Sequence, residues 1–164
     1  MLVVRGTKKF LDRLGRPEPE PPVSTTVLGD WYATVLFWKP QVALFVNEPT
    51  LLPVLLPLAP AWTLLGRVPE CVELALSFHG LSGSFIATEV DEMRQTTLAR
   101  TANRSVIGML NEFAFLAEQW RPATVTLLDL SLRLSDVPCG PLFRTHTTPR
   151  RAVAVAVDEW ILGH

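Results

Sequence analysis

The chain has 164 residues, 48% of them hydrophobic and 19% charged, with a formal net charge of −1. That length buries roughly 70% of the unfolded surface, so one domain spanning 1–164 needs neither disulfide nor metal, and the composition excludes a disordered or low-complexity protein. A pI of about 6.3 argues against a duplex-DNA binder that is basic all over, yet residues 1–16 carry Arg5, Lys8, Lys9, Arg13 and Arg16 against Asp12 alone.

In chain order, LVVRG reads as a short strand. TKKFLDRLG then reads as a helix with Thr7 as its cap, Phe10, Leu11 and Leu14 as its apolar stripe and Gly15 as its stop. RPEPEPPVSTT is an extended surface connection. VLGDWYATVLFWKP places Leu28, Trp31, Tyr32, Val35 and Leu36 at helical spacing, which predicts a second helix. VALFVN and LLPVLLPL form a hairpin around EPT. Pro53 and Pro57 remove two ladder donors, so the second of these strands belongs at a sheet edge, covered or used for pairing.

VPECVELALSFHG predicts a helix with Pro69 near its start and Gly80 as its stop. FIATEVDEMRQ predicts a further, acidic helix and TTLART another strand. SVIGMLNEFAFLAEQW carries the clearest amphipathic pattern, with Val106, Met109, Leu110, Phe113 and Leu116 facing a core. Residues 124–136 fit either a strand or a helix, and the reading leans to helix. Thr148-Pro149 opens a last helix with Val153, Val157, Trp160 and Ile161 inward. The order predicts an α+β fold, a small mixed sheet of about four strands under several helices.

Two junctions share a pattern. VVRG-TKK and TLAR-TANRS each lead a strand into a helix start bearing hydroxyls and cations. Free N–H groups at a helix start favour anions. If the two strands are neighbours, Thr7, Lys8, Lys9, Asn103, Arg104 and Ser105 would wall one electropositive pocket for a phosphate-bearing ligand, RNA or nucleotide, with Ser105 as cap and Arg104 facing the anion. The plainer alternative makes Thr7 and Ser105 caps only, and the cations solvated.

Asp30 is a candidate base or cation ligand, although an acid in a first helical turn also complements the helix dipole. Tyr32, the only tyrosine, needs a partner for its hydroxyl if buried. His146 sits among Arg144, Arg150 and Arg151 and is a candidate base in a loop. Cys71 and Cys139 have no metal-ligand spacing with His79, His146 or His164, so neither metal nor cofactor is expected. Two isolated thiols suit a reducing compartment. The start MLVVRG has too short an apolar core for a signal peptide, and LLPVLLPLAPAWTLLG is too short and too broken by proline to span a bilayer. The expectation is a cytoplasmic protein. Phe37, Trp38 and Phe115 form an apolar excess that points instead to a protein–protein interaction module or a homodimer.

TKKFLDRLG, STTVLGDWYA, LFVNEPTLLPV and TANRSVIGMLNEFAF together resemble a family of small, mostly bacterial proteins, a domain of unknown function. The similarity runs from Met1 to about Trp120, with LSLRL and PCGPL beyond it. The resemblance brings no activity. It implies that Lys8, Lys9, Asp30, Trp31, Asn103, Arg104, Ser105 and Asn111 lie in the family's motifs.

Overall fold

The computed structural model describes residues 1–124, 126–145 and 147–164. Its strands are β1 (Leu2–Gly6), β2 (Trp31–Leu36), β3 (Val42–Asn47), β4 (Pro53–Pro57) and β5 (Thr96–Arg100). They form one mixed sheet in the order β4-β3-β2-β1-β5. β1 is parallel to both of its neighbours, β2 and β5. β2, β3 and β4 form an antiparallel meander. The helices are α1 (Lys8–Leu14), α2 (Ala61–Phe78), α3 (Gly83–Glu92), α4 (Arg104–Trp120), α5 (Leu127–Leu134) and α6 (Pro149–Leu162).

The fold is α+β in three layers. Leu2, Val4, Trp31, Ala33, Val35, Phe45 and Val54 project from one sheet face into a core closed by α1, α2, α3 and α6. Tyr32, Leu36, Val42, Leu44, Val46 and Leu55 project from the other face against α4 and α5. Alternate residues of one strand therefore serve different cores.

This double burial corrects the predicted helix over Leu28–Leu36. Residues Trp31–Leu36 are β2, buried along its whole length. A strand covered on both faces loses its apolar–polar alternation, so its apolar residues fall at helical spacing by coincidence. It is the fifth strand, beyond the four expected. The enrichment in aromatic and β-branched residues (Trp31, Tyr32, Thr34, Val35) was the signal for extended backbone.

A second correction concerns Pro69, which lies inside α2 and not near its start. The helix begins eight residues earlier because Leu64, Val68, Val72, Ala75 and Leu76 make one continuous buried stripe. Burial of that stripe outweighs the roughly 3 kcal/mol that an interior proline costs. A third concerns Ile161, expected inward, which is exposed. The described part of 124–136 forms α5, with the Thr126 hydroxyl capping it at Asp129 N–H. α6 starts as expected, with Thr148 as cap and Pro149 in its first turn.

β4 is an edge strand, and its outward groups are accounted for. Leu55 N–H points away from β3 and donates to Ser131 Oγ of α5 at 2.9 Å. The alternation of a strand turns positions 53 and 57 the same way, and proline has no N–H to offer there. α5 thus covers the edge that the prolines blunt.

The loop before β2 is held by buried polar groups. The Glu89 carboxylate of α3 accepts from Val27 N–H at 2.7 Å and Leu28 N–H at 2.8 Å. Asn47 donates to Leu28 C=O at 2.8 Å and accepts from the Thr50 hydroxyl at 2.7 Å, tying this loop to the β3–β4 turn. The turn predicted around EPT is present, and Asn47 is its buried anchor.

Candidate anion site at the ends of β1 and β5

β1 and β5 are neighbours and end together, with Gly6 opposite Arg100. From that common end the chain diverges. α1 enters the layer on one face of the sheet and α4 the layer on the other. Where adjacent parallel strands send their helices to opposite faces, the carboxyl ends leave a crevice between the departing segments. Here a cleft of about 640 Å³ follows α1 from Gly6, Lys8, Arg100 and Thr101 to Gly15, Arg16 and Pro17.

Gly6 allows α1 to fold back so tightly. A Cβ at this position would lie 2.6 Å from Phe10 Cδ1, and Phe10 is fixed edge-on against Phe45 in the core. Thr7 stands at the N-cap position but makes no side-chain cap, which corrects the cap expected from sequence. Its hydroxyl lies 3.0 Å from that of Thr34, and its N–H donates to Ala33 C=O. These bonds fasten the strand end to β2 instead.

Lys8 is exposed and pairs with Asp12 at 3.3 Å. Lys9 is exposed on the other side of the same turn, with its Nζ 5.4 Å from the centre of the Phe37 ring. It lines a second cleft, of about 490 Å³, together with Phe37, Trp38, Lys39, Glu118 and Arg121.

At the other junction Asn103, not Ser105, caps α4. Its Oδ1 accepts from Ser105 N–H at 2.9 Å and Val106 N–H at 3.3 Å. Asparagine holds the extended backbone that a cap needs and supplies the acceptor itself, which leaves Ser105 exposed within the first turn. The Asn103 N–H donates to the Tyr32 hydroxyl at 2.9 Å, so Tyr32 has the partner its burial requires. Burial pushes the Tyr32 phenol above its ordinary value, and the Glu48 carboxylate beside it acts in the same direction. Arg5, Tyr32, Glu48, Ala102 and Asn103 line a third, smaller cleft.

Asp30 is not in a first helical turn, because the segment that follows it is a strand. It lies just before β2, accepts from Arg5 Nε at 2.8 Å and from the Ser24 hydroxyl at 2.6 Å. Arg5 also donates to Arg100 C=O at 3.0 Å. This group locks the strand ends beneath the cleft.

The strand pairing brings Lys8 to Arg100 and Thr101, whereas Lys9 and Asn103 line separate clefts and Arg104 lines none of the three. None of these three clefts is lined by Lys8, Lys9 and Arg104 together. Arg16 stood among the cations of residues 1–16 without a place in the site, and Arg100 was not singled out, yet both line the cleft with Lys8. Arg100 ends a strand, and only the register with Gly6 shows where it falls. His146 lies outside the described residues. Among the described residues, no three His, Cys, Asp or Glu side chains gather as a metal site. None of their helices is long and apolar enough to cross a membrane.

The fold and cleft define an α+β protein with a basic crevice at the carboxyl ends of parallel strands. The chain belongs to DUF6933, a domain of unknown function, whose family model matches residues 3–152. No curated protein and no solved structure matches it.

Proposed function

We propose that this chain, in a bacterial cytoplasm, binds a phosphate-bearing ligand, RNA or nucleotide, in the cleft where β1 and β5 end. The observation that carries this reading is the meeting of Lys8, Arg16 and Arg100 around one cavity, with Asp12 as the opposing carboxylate. Three cations that do not neutralise one another favour a multivalent anion, and arginine grips phosphate through two parallel N–H bonds. The attraction comes from side chains. α1 has only seven residues, so its dipole adds little.

The test is titration of nucleotides and a short RNA at low salt against wild type, Arg100→Ala and Arg104→Ala. Loss of a charge-assisted contact costs about 1.5–3 kcal/mol, so Arg100→Ala weakens binding by roughly ten- to hundredfold. Arg104→Ala has the smaller effect, and added salt weakens the wild type. A wild type that binds neither ligand defeats the reading. Phe115, 64% exposed on α4, favours the second reading, a protein–protein interaction module or homodimer, which sedimentation would reveal as a concentration-dependent mass.

A further inference from the structure

We propose that the ligand is a single-stranded nucleic acid, crossing the first turn of α1 with phosphates in the β1/β5 cleft and an unpaired base stacked on Phe37. This rests on the anion-site reading above and identifies the polymer that site would take.

Three observations on the second cleft support it. First, Lys8 and Lys9 are consecutive, yet each lines a different cleft. The two clefts flank one turn of helix, and a chain of phosphates can be met on both sides of that turn. Second, Lys9, Lys39 and Arg121 line the second cleft with only Glu118 opposing them. Across both clefts six cations stand against two carboxylates, on a chain whose formal net charge is −1. The positive charge is gathered at this end of the sheet, and this is the distribution a polyanion requires.

Third, the same cleft presents aromatic rings. β2 ends at Leu36, which is turned into the core, and the chain then exposes Phe37 to 62%. Trp38 behind it packs on the core and lies under the Arg121 guanidinium at 4.3 Å. Phe37 is not needed to complete that core. An exposed ring among cations offers a base a π-face while the cations hold its phosphates, and this pairing recurs where single strands are bound without sequence readout. A mononucleotide can occupy one cleft only. A peptide of Asp and Glu would satisfy the charge but bring no planar base to stack on the Phe37 ring.

The experiment is fluorescence anisotropy at low salt with an eight-nucleotide RNA, the DNA of the same sequence, and ATP as competitor. The proteins are wild type, Phe37→Leu, Phe37→Tyr and Arg100→Ala. Phe37 is a surface side chain, and circular dichroism checks that both variants remain folded. The expected result has four parts. Wild type binds the eight-nucleotide strands more tightly than ATP. Phe37→Leu weakens the strands about tenfold while leaving ATP unchanged, as loss of one stacked base would. Phe37→Tyr, which keeps the ring, retains strand affinity. Arg100→Ala weakens strands and ATP alike.

The proposal is overturned if the strands bind no better than ATP, or if Phe37→Leu binds them as wild type does. It is also overturned if a polyglutamate of equal charge displaces them equally well, which would assign the face to an acidic protein partner. ATP binding that survives any of these results leaves the anion site standing and removes only the single-strand reading. Absence of binding to all three ligands removes both.

Discussion

The two candidate caps separate at the level of single residues. Asn103 carries two N–H groups of α4 on one oxygen, and Ser105 carries none. Replacing Asn103 by Ala should cost about 1 kcal/mol of stability, while Ser105→Ala should stay within about 0.5 kcal/mol, as surface changes do. Urea midpoints of the two variants measure this directly, and equal midpoints would contradict the assignment. TANRS offered three residues with capping side chains, Thr101, Asn103 and Ser105, at alternate positions. Which one caps depends on where the backbone leaves the extended region, and the Asn103 N–H bond to Tyr32 holds it there. Tyr32 lies seventy-one residues away in sequence, so local pattern alone does not contain the answer.

For elements, the edge strand is the informative case. Two prolines marked β4 as an edge without any structure, because a proline cannot donate to a ladder. The cover over that edge is a property of another element. Ser131 sits on α5, accepts from Leu55 N–H and itself donates to Leu127 C=O at 2.8 Å. Ser131→Ala keeps the helix but leaves the buried Leu55 N–H without a partner, a loss of about 1–3 kcal/mol. Thermal denaturation of this variant should show the drop, and a variant as stable as wild type would remove Ser131 from this role. β2 is the opposite case. Its sequence carries β-prone residues, yet burial on both faces erased the alternation that identifies a strand. Helix α4 was legible because it lies on one face of the sheet with its opposite side in water, which preserves the 3.6-residue period.

On the scale of the molecule, α3 and the loop ahead of β2 are joined through Glu89. Burial raises its carboxyl above the ordinary 4.5, although the two N–H donors pull it the other way. In the unfolded chain the group releases its proton at the ordinary value. Between that value and the higher folded one, the unfolded state binds fewer protons, so stability falls as pH rises. The contribution is fully present below about pH 4.5 and is lost as pH passes the folded value. Glu89→Gln has no proton to release. The stability of wild type minus that of Glu89→Gln, from urea titrations at several pH values, should therefore decline above pH 4.5 and then level off. A difference independent of pH would show that burial does not set this group's titration. Sequence by itself determined the α+β class, the amphipathic helices, the proline-marked edge and the cationic character of the first sixteen residues. Each of these is written in composition, in periodicity or in a covalent property of one residue type. Tertiary structure alone decided that Trp31–Leu36 is a strand and that Asn103 caps α4. It alone decided that Arg16 and Arg100 join Lys8 while Lys9 turns to Phe37. Those outcomes depend on strand register and on the face to which each helix departs, which place residues far apart in the chain within reach of one another.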